Sequence, residues 1–164
     1  MVALDGQILA RWTGKLDGVS VSLLEFYQMV EAAVIESELP DLSFSNITRR
    51  EAGWLSPNRI YLRVRYKKLF FDISAILAGN CLIVSWWLHQ DQPNVVDLVA
   101  EIPGLRFILE RTTRAATYFA VDVIEHFQVT VHQAVLQVLK TLTEENKPAY
   151  LADEERQPVW EEIW

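Results

Sequence analysis

The sequence predicts an α+β domain: an antiparallel meander of four to five strands with two long amphipathic helices packed on one face. Three observations predict it. One apolar stripe at helical spacing begins after Ser22 and another runs from about Asp122 to Thr143. After Asp41 the periodicity changes from 3.6 to 2. Three successive segments, joined by two tight turns, then agree on one register that gathers their apolar residues on one side.

Residues 1–21 are the least patterned part. Gln7 to Trp12 alternates as a strand does, and Gly14 and Gly18 read as turns on either side of Lys15-Leu16-Asp17. Ser22-Leu23-Leu24-Glu25 is a capping box, in which hydroxyl and carboxylate satisfy backbone N–H groups at a helix start. Leu23, Phe26, Tyr27, Val30, Ala33 and Val34 form the buried stripe, and Leu39-Pro40 is the expected stop. Leu42 to Arg50 reads as a strand and Gly53 to Asn58 as a loop.

With Lys67-Lys68 as a two-residue turn, Tyr66 faces Leu69, Val64 faces Phe71, Leu62 faces Ile73 and Ile60 faces Ala75. Every pair is apolar, and a slip by one residue would mix charge with core. Gly79-Asn80 is the next turn, with glycine at the first central position that a type II′ turn requires. Leu82, Val84, Trp86 and Leu88 extend the same face. The opposite face then carries Arg59, Tyr61, Arg63, Arg65, Phe70, Asp72, Trp87 and His89, with Arg63 across from Asp72.

Further along, Val95 to Ile102 reads as a short helix stopped by Pro103-Gly104, and residues 105–116 carry no clear pattern. Thr117 to Val121 is β-prone and leads into Asp122-Val123-Ile124-Glu125, a second capping-box-like start. The helix that follows would bury Ile124, Phe127, Val131, Ala134, Val135, Val138 and Leu142. Residues 1–150 read as one domain and 151–164 as an acidic aromatic tail; from Glu144 onward there are seven carboxylates against two cations.

Composition bounds the function. With 164 residues, 51% apolar and a formal charge of −7, the chain can bury a core and lacks the basic field of a general nucleic-acid binder. The one cysteine excludes an intrachain disulfide, no apolar run reaches membrane-helix length, and MVALDGQILARW lacks the order of a signal peptide. The expectation is a cytoplasmic protein with no transmembrane segment. P-loop, GxGxxG, HExxH, CxxC and GxSxG motifs are absent, so no cofactor is expected and an enzyme is not the favoured reading.

His126 lies one helical turn from Asp122, and His132 two turns from Glu125, spacings open to acid–base or metal chemistry but equally to caps and a polar flank. Cys81 faces Ala78, with no base beside it, and reads as a small half-buried residue.

The face of arginines and rings admits three readings. It can hold an anionic small molecule or nucleotide, since guanidinium forks and stacking rings suit a base and its phosphate. It can be a solvated sheet face carrying an Arg63–Asp72 pair. It can be an interface, because Ile76, Ile83, Phe70 and Trp87 are too apolar to leave in water. The tail, ending Trp160-Glu161-Glu162-Ile163-Trp164, would suit such a face in the same chain or in a second copy. The expected role is therefore a non-enzymatic interaction or assembly protein whose partner is another protein or a second copy, forming a homo-oligomer. Arg59, Tyr61, Arg63, Arg65, Phe70, Asp72, Trp87, His89, Trp160 and Trp164 are its contact residues.

Read as LSPNRIYLRVRYKKLFFDI followed by VSWWL, the chain resembles an uncharacterised family of bacterial proteins. Those share a YLRVR…FDI…SWWL core and a later helix of the VHQAVLQVL type. The resemblance spans roughly residues 27–142. It implies a bacterial cytoplasmic or membrane-peripheral protein and carries no activity with it. Members have a turn with Cys, Pro and Gly after FDI, where this chain has Ser74 to Asn80.

Overall fold

A computed structural model of the chain describes residues 6–50, 58–91, 113–146 and 151–161. In chain order these form β1 (Gln7–Asp17), α1 (Leu23–Ile35), β2 (Leu42–Arg50), β3 (Asn58–Tyr66), β4 (Leu69–Ala78), β5 (Cys81–Gln90), α2 (Thr113–Asn146), a 3-10 turn (Glu154–Arg156) and β6 (Val159–Trp160). The strands make one antiparallel sheet in the order β2-β3-β4-β5-β1-β6. The α+β class and the antiparallel sheet are as expected. The strand count is six, because β1 closes onto β5 and the C-terminal β6 adds to the outer edge of β1.

Both reversals fall where the sequence puts them, with Tyr66 opposite Leu69 and Ala78 opposite Cys81. Gly79 has φ +64° and Asn80 is not left-handed, as the first central position of a type II′ turn demands. Leu62, Val64, Phe71, Ile73, Leu82, Val84, Trp86 and Leu88 share one core with Phe26, Tyr27, Val30 and Val34 of α1 and with Ile124, Phe127, Val131 and Val135 of α2. Phe71 stands at its centre, edge-on to Trp86 and to Phe127 at 5.0 and 5.1 Å between ring centroids.

Three expectations are corrected. Gly14 is no turn but lies inside β1: a Cβ there would stand 2.4 Å from the Trp12 ring, so the missing side chain is where the indole lies. We expect Gly14→Ala to cost about 1–3 kcal/mol through overpacking, read as a lower midpoint in urea. Helix α1 ends at Ile35, before Leu39-Pro40, because the Ser37 hydroxyl donates to Val34 C=O (2.6 Å) and Glu38 turns left-handed at φ +58°. Lastly, Thr117 to Val121 lies within α2, so Asp122 and Glu125 cap nothing and are exposed in mid-helix. Ala120, Ile124, Phe127 and Val131 continue one buried helical stripe, and that packing overrides local β-propensity. The capping box at Ser22 stands as expected, its hydroxyl accepting from Glu25 N–H at 3.2 Å. The expected helix at Val95 to Ile102 lies outside the described residues.

Candidate interaction surface

The register carries the predicted cluster to one place. On the face away from the helices, Arg63 of β3 grips Asp72 of β4 with both arms of its fork, Nε to Oδ1 at 2.7 Å and Nη2 to Oδ2 at 2.8 Å. Arg49 of β2 reaches the same carboxylate at 3.2 Å, and His89 Nε2 of β5 stands 4.0 Å from it. The Arg63 guanidinium lies 4.1 Å above the Phe70 ring, which stacks on His89 at 4.8 Å with only 6° between planes. Arg65 flanks the same phenyl ring and pairs with Asp91. Tyr61 meets Trp87 edge to face at 6.4 Å.

This geometry changes what the face offers. Tyr61, Phe70, Asp72 and His89 are all buried, and Leu69 to Ala75 is buried on both faces of β4. The expectation of an open sheet face at these four positions does not hold. The physical reason is that arginine forks beside a carboxylate close on it when water is scarce, since a buried charge is tolerated only when paired. Trp87 is half-buried and Arg59 exposed. Arg49 was not among the expected residues: the register of β2 against β3 places it opposite Arg59, and that pairing spans a loop whose length the sequence pattern does not measure.

The sheet forks at its other end. The β3–β4 ladder stops at Leu62↔Ile73, so the expected facing of Ile60 and Ala75 is replaced by a bridge. Ala75 N–H donates to the Tyr27 hydroxyl at 3.0 Å, and that hydroxyl donates to Ile60 C=O at 2.7 Å. The phenol of α1 thus occupies the place of the direct inter-strand bond. Burial raises its pKa, the Ala75 N–H pulling the other way, so it remains the donor the bridge needs.

Beyond this wedge lies a cavity of about 340 Å³ lined by Leu23, Leu24, Ile60, Ile76 and Leu77, with Asn58 and Arg59 as its polar members. Leu24, Ile60 and Leu77 are exposed at its mouth by 59%, 53% and 42%.

The C-terminal segment docks in the same chain, though away from the arginines. Trp160 lies opposite Ala10 and Val159 opposite Arg11 on β1, with an Arg11–Glu161 ion pair at 3.0 Å. Trp164 falls outside the described residues. His132 turns inward while Glu125 is exposed, so that spacing brings no pair together, whereas Asp122 and His126, both exposed, line one pocket with Leu39, Tyr66 and Phe127. Among the described residues no cluster of His, Cys, Asp and Glu could hold a metal ion. Cys81 is buried, and burial together with the Asp17 carboxylate raises its thiol above the ordinary value, which disfavours the thiolate. Among those residues, too, no helix is long and apolar enough to cross a membrane. Compared with family models, curated proteins and solved structures, the chain gives no match.

Proposed function

We propose that this chain is a non-enzymatic interaction or assembly protein whose contact surface is the apolar mouth of the forked sheet. What supports the reading is one observation: large apolar side chains from α1, β3 and β4 stand exposed around a single cavity. Contiguous apolar surface of this kind is characteristic of protein contacts, whereas apolar side chains scattered singly are not. Trp160 and Val159, half-exposed on the β6 edge, offer a second and smaller contact.

The occupant to be tested first is a second copy of the chain. Light scattering at low and high concentration should show the mass rising for the native protein. Leu24→Glu should remain monomeric while its unfolding free energy stays within about 0.5 kcal/mol of native, since the site is exposed and a carboxylate suits a helix N-terminus. A native chain that remains monomeric at high concentration, with no cross-link formed from a photoreactive side chain at position 24 to a second copy, would remove self-assembly through this surface.

The alternative, an anionic small molecule or nucleotide on the arginine face, has less behind it. Arg63 and Arg65 are already engaged by Asp72 and Asp91, and such a ligand would have to displace those carboxylates.

A further inference from the structure

The two edges of the sheet are unlike. One is closed by the short β6, whose two residues pair with β1. The other is β2, nine residues long and paired with β3 at every one of them, with no bulge. Edge strands normally carry a proline, a lysine or a bulge that keeps other strands from adding. LSFSNITRR has none of these, and its charges are confined to Arg49 and Arg50 at one end.

The backbone groups that β2 turns outward follow from the fork. The Tyr27 hydroxyl bonds Ile60 C=O and Ala75 N–H, so Ile60, and with it the even-numbered residues of β3, address β4. The odd-numbered residues of β3 address β2, where they meet Ser43, Ser45, Ile47 and Arg49. Alternation then leaves the N–H and C=O groups of Leu42, Phe44, Asn46, Thr48 and Arg50 pointing out of the sheet. No backbone hydrogen bond from the described residues reaches them.

We infer that a second copy of the chain adds to this edge, β2 antiparallel to β2 about a two-fold axis through Asn46. The inference rests on the reading above for its partner and supplies the surface through which the copies meet. In this register all nine residues of each strand overlap, and outward groups meet outward groups along the whole length. Arg49 falls opposite Ser43 of the copy and Arg50 opposite its Leu42, so no like charges face each other. Asp41 of the copy precedes that leucine, which brings an opposite charge to the arginine end. Phe44 of the copy lies opposite Thr48. Thr48 and Arg50 in turn pair with Ile60 and Asn58, which line the apolar mouth together with Leu24. Leu42 and Phe44 are half-buried and pack on the helix side of β2, so those of the copy arrive at the Leu24 end of the strand. Strand edge and mouth then form one contact.

Amide hydrogen exchange on the full chain, read beside light scattering at low and high concentration, tests the pairing. In the assembled protein the amides of Phe44, Asn46 and Thr48 should exchange at least about tenfold more slowly than after dilution to monomer. Those of Ser45 and Ile47, bonded to β3, should be protected at both concentrations. Asn46→Pro removes an N–H that points away from β3, so the chain should fold and stay monomeric. Asn46→Lys and Asn46→Glu set like charges face to face at the axis. Each alone should dimerise about fivefold more weakly than native, and an equal mixture should recover the loss.

An edge that stays open to exchange at high concentration overturns the pairing; if the mass rises nonetheless, the apolar mouth alone is the contact. Protection in a chain with the mass of a monomer overturns it too, as does a folded Asn46→Pro that still dimerises through a protected edge. Should Asn46→Pro fail to fold, the native exchange pattern and the mixture decide, and a mixture no tighter than either variant alone counts against the pairing. A Leu24→Glu chain that dimerises with its edge protected removes the mouth from the contact and supports the strand.

Discussion

Replacing Asp72 with alanine is expected to lower the unfolding free energy by about 3–5 kcal/mol, because one carboxylate serves two guanidiniums in a nearly dry place. The Asp72 side chain is 4% exposed, with Arg63 at 11% and Arg49 at 15%, so solvent cannot replace what the substitution removes. The loss should be nearly independent of salt, which distinguishes it from an exposed pair such as Lys15–Asp17. Asp72→Asn, which keeps the shape and an acceptor but not the charge, should fall between native and alanine. Equilibrium unfolding in guanidinium and in urea, the first ionic and the second not, checks both points. A loss below about 1 kcal/mol for Asp72→Ala would mean that the guanidiniums do not depend on this carboxylate.

Phe71→Ala should cost as much by another route, about 3–5 kcal/mol from lost transfer energy and the cavity left behind. Phe71 is fully buried and touches both Trp86 of the sheet and Phe127 of α2. Removing it loosens the contact between the two layers. Phe71→Leu, which retains most of the volume, should cost about 1.5 kcal/mol or less. Chemical denaturation separates the two. A near-equal loss for alanine and leucine would point to ring geometry rather than volume.

The parts legible in the sequence share a feature: they rest on short-range periodicity. Tyr66 opposite Leu69 and Asp72 opposite Trp87 follow from turn chemistry and a period of two, which leaves one register compatible with a buried face. Ser22 followed by Glu25 places a helix start from four residues. Gly14 departs from the turn its residue type suggests because glycine marks a turn only when its backbone needs the freedom, and here it is Trp12, two residues back, that needs the space. Thr117 to Val121 is helical despite its β-propensity because strand and helix preferences differ by less than the burial gained from continuing the stripe of α2.

The site was legible in part. Arg63, Phe70, Asp72 and His89 were placed together correctly, yet whether that face lies open or covered has no signature in alternation: a charged residue in a strand reads the same when solvated and when paired in a dry cluster. The fork was not legible, since a phenol from α1 entering the β3–β4 ladder links positions 27, 60 and 75, a relation no local window contains.

The chain itself therefore dictated the class of fold, both hairpin turns and the membership of each face, because these follow from backbone geometry and the period of apolar residues. Tertiary structure alone decided that the cations close on Asp72, that Tyr27 parts two strands, and that the tail binds β1. Each of these is a choice between water and a distant partner, and desolvation sets its outcome only once the layers have met.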